Sequence, residues 1–230
     1  MLALTPEEWT AVALSVRVAA VATAFSLPLG IATAWLLARK TFPGKALLNA
    51  VIYLPLVLPP VVTGYLLLIA FGRRGIFGAW LESIGIVFSF RWTGAVLACA
   101  VMSFPLLVGA IRLSIEAVDR KLEDAAATLG ANRAWTFVTV TLPLALPGII
   151  AGAVLAFARA LGEFGATITF VSNIPGETQT ISAAIYTLTQ VPGGDAQALK
   201  LVVIAIAIAL MALILSEWFG RRAGARVHGV

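Results

Sequence analysis

The chain has 230 residues, of which 60% are hydrophobic and 12% are charged, whereas roughly a quarter are charged in a typical soluble domain. This composition excludes a soluble globular protein and indicates an integral membrane protein. The formal net charge is +5. No basic run with interleaved aromatic residues and no nucleic-acid-binding motif occurs, so we attribute the surplus to membrane orientation and expect no nucleic-acid partner.

The N-terminal sequence does not predict a cleavable signal peptide. It carries Glu7 and Glu8 where a basic region is expected, and the apolar run that follows is too long for a signal core. Cys99 is the single cysteine and lies in an apolar run, so no intrachain disulfide can form. Neither an internal repeat nor a low-complexity linker is evident. We therefore predict one transmembrane domain over residues 1–230.

The first predicted span lies between Arg17 and Arg39, which enclose 21 uncharged residues. At about 1.5 Å per residue this length crosses a bilayer. A basic turn at residues 39–45 leads into a second uncharged run, residues 46–72. Its helix breakers are Pro55, Pro59, Pro60 and Gly64. They predict that the run is not a straight helix, which is typical both of transport pathways and of kinked packing helices.

The remaining elements complete an all-α prediction. Residues 73–91 combine charged ends with an apolar middle, and we expect them to lie along the membrane surface. Further spans are predicted at Trp92–Ile111, Pro147–Val171 and Ala198–Phe219. The stretch TISAAIYTLTQ between the last two predicts a re-entrant or interfacial helix. The fold class is therefore all-α, with about five transmembrane helices.

The longest polar interruption separates the third and fourth predicted spans. It begins with an apolar stripe at helical spacing, formed by Val118, Leu122, Ala125, Ala126 and Leu129. Gly130 is suited to end this helix, and Asn132 can cap the element that follows. Pro143 and Pro147 are expected to break the chain again. The pattern predicts a short amphipathic helix, a turn and a second short helix, whose apolar stripe either packs on its own bundle or docks on a partner.

The lysines and arginines at the span ends predict the orientation. Ten lie on one side, namely Arg39, Lys40, Lys45, Arg112, Arg120, Lys121, Arg133, Arg221, Arg222 and Arg226. Five lie on the other side, namely Arg17, Arg73, Arg74, Arg91 and Lys200. Because cytoplasmic loops carry the excess of basic residues, we expect a periplasmic N-terminus, a cytoplasmic C-terminus and a cytoplasmic location for the polar interruption.

The sequence contains no recognisable catalytic set. No phosphate-binding pattern of the form G-x4-G-K-[ST] occurs, and His228, the single histidine, lies in the C-terminal tail. Neither a nucleophile–histidine pair nor a metal site can be assembled around it. We therefore expect a non-enzymatic chain with no metal site and no cofactor of its own.

Two charged residues lie within the predicted fourth span, where a charge costs about 2.5–3.5 kcal/mol on insertion scales. Arg159 and Glu163 are four residues apart and can neutralise one another on one helix face. Two interpretations are open. This face meets an aqueous pathway, to which Thr167 and Thr169 add hydroxyl groups, or the ion pair is structural and fixes the packing of the helices.

The polar interruption resembles the EAA loop of ABC importer permeases, which reads E-A-A-x3-G-x9-I-x-L-P. The same spacing occurs here at Asp124, Ala125, Ala126, Gly130, Val140, Leu142 and Pro143. Asp replaces Glu and Val replaces Ile, and the neighbouring Glu123 leaves open which carboxylate takes the acidic role. By this resemblance residues 114–147, approximately, form a loop that couples the permease to an ATPase.

Other segments resemble the oxyanion branch of these importers. They are TFPGKALLNAVIYLPLVLPPVVTGYLLL, ARALGEFGATITF and VSNIPGETQTI, and they are most similar to molybdate permease subunits. Sulfate and thiosulfate permeases share the GEFG element and the EAA loop. Sulfate, thiosulfate and tungstate are therefore alternative cargoes, and a stand-alone secondary transporter is an alternative of a different class.

The resemblance implies the MetI-like fold of ABC importer permeases and a location in the bacterial inner membrane. It also implies the partners: a second copy of this chain, two copies of a cytoplasmic ABC ATPase that bind ATP and Mg, a periplasmic oxyanion-binding protein, and membrane lipid. In such an assembly the ATPase grips the loop around Asp124, Ala125, Ala126 and Gly130, and its closing motion opens the permease.

Overall fold

A computed structural model describes the backbone of residues 4–228, and the side chains of this range except residues 219, 221 and 223–228. The side chains of Arg221 and Arg226, two of the ten basic residues assigned to the cytoplasmic side by the sequence, and of His228 lie outside the described residues. Within the described range there is no β-strand. This confirms the all-α prediction for that part of the chain.

The described helices, in chain order, are α1 (Pro6–Arg39), α2 (Lys45–Val57), α3 (Pro60–Phe71), α4 (Gly78–Ser83), α5 (Trp92–Ala117), α6 (Arg120–Thr128), α7 (Arg133–Thr136), a π-helical segment (Phe137–Thr141), α8 (Leu142–Leu161), α9 (Gly165–Val171), α10 (Ile181–Thr189) and α11 (Asp195–His228). The helix predicted at TISAAIYTLTQ, re-entrant or interfacial, corresponds to α10. The stretch at residues 73–91 contains the short helix α4.

Four stretches of the described chain are long and apolar enough to cross a membrane: Pro6–Arg39, Trp92–Ala117, Arg133–Leu161 and Asp195–Trp218. The pair formed by α2 and α3 also qualifies, with a bend of 115° between its two halves. Counting this pair as one span gives the five that were predicted. The broken second run is also confirmed, because Leu58 and Pro59 each precede a proline and avoid helical backbone angles.

The helices extend beyond the uncharged runs of the sequence. α1 begins at Pro6 rather than near Arg17, and its first turn is closed by a capping box. The Thr5 hydroxyl accepts a hydrogen bond from the Glu8 N–H at 3.2 Å, and the Glu8 carboxylate accepts one from the Thr5 N–H at 2.8 Å. α5 similarly continues past Ile111 to Ala117. Hydropathy marks the part of a helix that lipid surrounds, whereas the ends can continue into the interface.

The core of the bundle is formed where α5 packs against α1 and α8. Small residues line these contacts: Ala95 and Ala98 on α5 and Ala156 on α8 are completely buried. Small side chains allow helices in a membrane to approach closely, so that van der Waals packing can hold them together. Leu107 and Ile111, also completely buried, pack in the part of the core that lies toward the C-terminal end of α5.

The prediction for the region after the polar interruption was wrong. α7, the π-helical segment and α8 form one helical run, so Pro147 does not start the span and neither proline breaks it. Pro143 lies in the first turn of α8 and Pro147 lies inside it. Directly before Pro143 the hydrogen-bond ladder changes to π geometry, with the Leu142 N–H donating to the Phe137 carbonyl. A proline removes a helical donor, and local π geometry is one way for a membrane helix to accommodate the loss.

The predicted C-terminal end of the fourth span, at Val171, was also wrong. α8 ends at Leu161, and α9 is a separate short helix that packs on α3. Two glycines permit this approach. A Cβ atom at Gly64 would lie 2.5 Å from the Ala166 carbonyl oxygen, and one at Gly165 would lie 2.8 Å from the Cβ of Pro60. The two broken runs of the chain are thus packed against one another.

We predict that Gly64→Ala destabilises the protein by about 1–3 kcal/mol, because the added methyl group must push α3 away from the backbone of α9. The measurement is the midpoint of thermal unfolding in detergent. Gly220→Ala in α11 is the matched control, because no atom of the described residues lies within 4 Å of the position that its Cβ would take. An unchanged midpoint for Gly64→Ala would show that α3 and α9 are not held at this separation.

Candidate coupling helix and intramembrane ion pair

α6 has capped ends that follow directly from its sequence. At its start the Asp119 carboxylate accepts a hydrogen bond from the Lys121 N–H at 2.9 Å. Asn132 caps the next helix in the predicted way, with its side-chain oxygen accepting from the Trp135 N–H at 2.9 Å. These caps define α6 as a separate nine-residue helix between two long ones.

Gly130 ends α6, as the sequence predicted. Its φ is +89°, in the left-handed region that favours glycine. The Gly130 N–H donates to the Ala127 carbonyl at 3.0 Å, and the Ala131 N–H donates to the Ala126 carbonyl at 3.1 Å. This pair of bonds is a Schellman motif, which satisfies the last carbonyls of the helix.

The apolar stripe of α6 is not covered by the bundle of this chain. No residue of the helix is buried, and Leu122 and the adjoining Leu129 are 49% and 89% exposed. Ala125 is exposed and Ala126 is half-buried. Val118, which completes the stripe, is buried but lies at the end of α5. Of the two possibilities for the stripe, docking on a partner therefore fits the structure better than packing on its own bundle.

Glu123 connects α6 to the membrane helices. Its Oε1 accepts hydrogen bonds from Arg39 Nε at 3.1 Å, from Arg39 Nη2 at 2.9 Å and from the Thr141 hydroxyl at 2.7 Å. Arg39 Nη2 also donates to the Val118 carbonyl at 3.0 Å. The Arg39 side chain is 8% exposed and that of Glu123 is 20% exposed, so this charge-assisted link is shielded from water.

Asp124, which occupies the acidic position of the EAA-like pattern, is exposed. It faces a polar cavity beside α6, and none of the described side-chain contacts involves it. Of the two neighbouring carboxylates, Glu123 therefore has the anchoring role. Sequence reasoning did not identify its partners Arg39 and Thr141, because they lie on distant parts of the chain and carry no local signal.

The π-helical segment positions Thr141, one of the two residues that donate hydrogen bonds to Glu123. Thr141, its final residue, is 1% exposed and directs its hydroxyl to Glu123. The following Leu142 is half-buried against the cluster formed by α1, α5 and α8, and Pro143 is exposed in the first turn of α8. The last two residues of the EAA-like pattern thus lie at the start of α8, where the run that follows α6 joins the membrane helix.

Arg159 and Glu163 form the predicted ion pair, with 2.6 Å between Arg159 Nη1 and Glu163 Oε2. The pair differs from the prediction in one respect. Arg159 lies in the last turn of α8, whereas Glu163 follows the capping residue Gly162, so the contact closes a helix end rather than lying along one helix face. Glu163 Oε1 accepts from the Ala166 N–H at 2.9 Å and thereby also caps α9.

The burial of this pair is unequal. Glu163 is 1% exposed and the Arg159 side chain is 28% exposed. Glu163 Oε2 is close to the guanidinium group, although the angles do not satisfy a hydrogen bond. Thr167 and Thr169 donate their hydroxyl hydrogens to the Phe164 and Gly165 carbonyls at 2.9 and 2.8 Å. These contacts fit a structural role, and a role of the four residues in an aqueous pathway stays a prediction.

Residues 26–225 match the family described as binding-protein-dependent transport system inner membrane component. The chain belongs to this family. It is 65% identical to the molybdenum transport system permease protein ModB of Escherichia coli (strain K12) over 219 residues, which cover 95% of this chain and 96% of that protein. It is 58% identical to the ModB protein of Haemophilus influenzae, covering 94% of each chain. The sulfate transport system permease protein CysT of Escherichia coli (strain K12) is 38% identical, covering 88% of this chain and 74% of that protein.

Solved structures agree on the fold. A bacterial ABC transporter involved in the import of the acidic polysaccharide alginate matches with a TM-score of 0.75 at 19% identity, covering 95% of this chain and 80% of that one. The MetNI methionine ABC transporter in an inward-facing conformation matches with a TM-score of 0.68 at 15% identity, covering 94% of each chain. The predicted ABC importer permease fold is confirmed, and the family places the chain in the inner membrane as a multi-pass protein.

We predict that Glu123→Gln loosens α6, because neutralising the carboxylate weakens the bonds from Arg39 and Thr141. Hydrogen bonds to charged groups contribute about 1.5–3 kcal/mol, so amide hydrogen exchange in residues 120–131 should accelerate about tenfold or more. Asp124→Asn is the matched control and should leave the exchange unchanged. Equal acceleration in both variants would contradict the anchoring role of Glu123.

We predict unequal effects for the two halves of the intramembrane ion pair. Arg159→Met leaves a buried carboxylate unpaired and should cost about 3–5 kcal/mol of stability. Glu163→Gln should cost less, because the amide oxygen can still cap α9 and the partly exposed guanidinium group can reach polar surroundings. The midpoint of thermal unfolding of the two variants measures the difference. Lost transport with unchanged stability in both variants would instead favour the pathway role.

Proposed function

We propose that this chain is the permease subunit of an ATP-driven importer that moves molybdate across the inner membrane. The observation that carries the cargo assignment is the 65% identity to the molybdenum permease of Escherichia coli over 95% of the chain. Identity to the sulfate permease of the same organism is 38%. Sulfate and thiosulfate are therefore weaker candidates, and tungstate shares the tetrahedral dianion chemistry of molybdate. Family membership argues against a stand-alone secondary transporter.

The proposed assembly contains two copies of this chain, two copies of an ABC ATPase and a periplasmic oxyanion-binding protein. ATP and Mg would bind to the ATPase, and this chain would contribute no bond chemistry. One solved structure with this fold is described as an alginate ABC transporter in complex with a pentasaccharide-bound periplasmic protein. The excess of ten basic residues over five supports a periplasmic N-terminus and a cytoplasmic C-terminus.

We assign α6 as the coupling helix. Its exposed apolar face, with Leu122 at 49% and Leu129 at 89% exposure, offers a surface on which the ATPase can dock. Glu123 joins the helix to α1 through Arg39 and to the α7–α8 run through Thr141. A displacement of α6 by the closing ATPase therefore acts on two membrane-spanning runs at once. Closing opens the permease dimer to the outside, and hydrolysis resets it inward.

The cargo is tested by the ATPase activity of the reconstituted complex in proteoliposomes. The binding protein is added after loading with molybdate, tungstate or sulfate. We expect clear stimulation with molybdate and little with sulfate. Equal stimulation by sulfate-loaded and molybdate-loaded binding protein would refute the molybdate assignment and leave the importer assignment intact.

We predict that Gly130→Val abolishes stimulated ATP hydrolysis and molybdate uptake while the protein still inserts into the membrane. A β-branched residue at positive φ costs of order 1–3 kcal/mol, and the turn that ends the coupling helix would have to rearrange. Gly85→Val is the matched control, since Gly85 has a φ of +81° and, like Gly130, no atom within 4 Å of the position of a Cβ. Uptake at the wild-type rate in Gly130→Val would contradict the coupling role of α6.

A further inference from the structure

Two adjoining cavities lie where α1 leaves the bundle beside α6. One is polar, has a volume of about 400 Å³ and lies under α6. The other is an apolar groove of about 470 Å³ along α1. Both are lined by Trp35, Arg133 and Phe137, so the two cavities adjoin one another along these residues. The combined shape is polar at one end and apolar at the other.

The polar cavity has a surplus of positive charge. Its charged lining residues are Arg39, Lys40, Arg120, Arg133, Glu123 and Asp124. Arg39 and Glu123 neutralise one another at 2.9 Å. The remaining three cations and one carboxylate leave a net charge of +2 (three minus one). Among the side chains that the structure describes, no carboxylate lies within ion-pair distance of Lys40, Arg120 or Arg133.

The apolar groove descends along the membrane-spanning part of α1. Its walls beyond the shared residues are Pro28, Ile31, Ala32 and Ala134. From Trp35 to Pro28 the groove follows two helical turns, about 10 Å at 1.5 Å per residue. At the junction the Trp35 and Phe137 rings meet edge to face with 6.0 Å between centroids, and Lys40 Nζ lies 5.5 Å from the Trp35 ring. Tryptophan and lysine at a helix end are typical of the membrane interface.

We propose that the two cavities together form a binding site for one anionic phospholipid. The headgroup phosphate lies among Lys40, Arg120 and Arg133, and an acyl chain lies in the groove between Pro28 and Phe137. The charge surplus selects a negative headgroup, and basic pockets between membrane helices at the cytoplasmic side bind such headgroups. A soluble anion would use the cations but would leave the groove without an occupant. The order of the cavities along α1 is the order of headgroup and chain in a bilayer.

The position of this site links the lipid to coupling. The polar cavity includes Arg39, Glu123 and Thr141, the residues that connect α6 to the membrane helices. A bound phosphate group beside them adds a charged contact between the α6 region and α1. In the proposed orientation the lipid comes from the inner leaflet; the existence of the site itself does not depend on the identity of the cargo.

The test uses the full-length permease in detergent and native mass spectrometry during titration with phosphatidylglycerol or phosphatidylcholine. We expect selective retention of phosphatidylglycerol. A basic residue near a phosphate contributes about fivefold in affinity, so Arg133→Gln and, separately, Lys40→Gln should each weaken retention by about that factor. Arg74→Gln is the matched control, because it removes one exposed cation from the loop at the other end of α5 and should leave retention unchanged.

The apolar half is tested by Ala32→Trp, which fills the groove without changing any charge. We expect it to weaken phosphatidylglycerol retention as well, while inorganic phosphate at millimolar concentration does not displace the lipid. Three outcomes would overturn the proposal: equal retention of both lipids by the wild-type chain, equal effects of Arg133→Gln and Arg74→Gln, or displacement by inorganic phosphate with no effect of Ala32→Trp. Loss of the retained lipid when the ATPase subunit binds would also overturn it, because the surface would then be a protein interface.

Discussion

The link between Arg39 and Glu123 is the contact on which the position of α6 against the membrane helices depends. α6 buries none of its own residues, so hydrophobic packing within the chain does not hold it in place. A single carboxylate with three hydrogen bonds from Arg39 and Thr141 takes over that task. Because the contact is directional and shielded, it can hold a helix whose apolar face stays available to a partner. A helix held by burial would have had to give up that face.

A second constraint comes from the membrane, where every backbone polar group must find a partner inside the protein. The chain breaks its helices twice, between α2 and α3 and between α8 and α9. The two breaks meet, because α3 packs on α9 with Gly64 against the backbone of Ala166. The Glu163 carboxylate accepts a hydrogen bond from the Ala166 N–H in the first turn of α9, and Arg159 compensates the charge of Glu163. One ion pair thus makes the helix break between α8 and α9 tolerable.

Much of the architecture was predictable from local sequence. Uncharged runs located every span except the fourth, the prolines at 55, 59 and 60 predicted the bend of the second run, and Gly130 predicted the end of α6. The same reasoning wrongly predicted helix breaks at the prolines at 143 and 147. A change to π geometry before Pro143 keeps the helical run intact. The break after Leu161 was missed because Gly162, Phe164 and Gly165 lie inside a run that remains apolar enough to look continuous.

The sequence by itself determined the membrane location, the all-α architecture, the family and the acidic–small–glycine pattern around α6, since all of these depend on composition and on spacing along the chain. Only the tertiary structure decided which of two neighbouring carboxylates anchors α6, and that Arg159 and Glu163 close a helix end. It also decided that an apolar groove lies beside the basic end of α1. Each of these depends on residues that are far apart in sequence, such as Arg39 and Glu123, and distances between them are set by packing rather than by any local pattern.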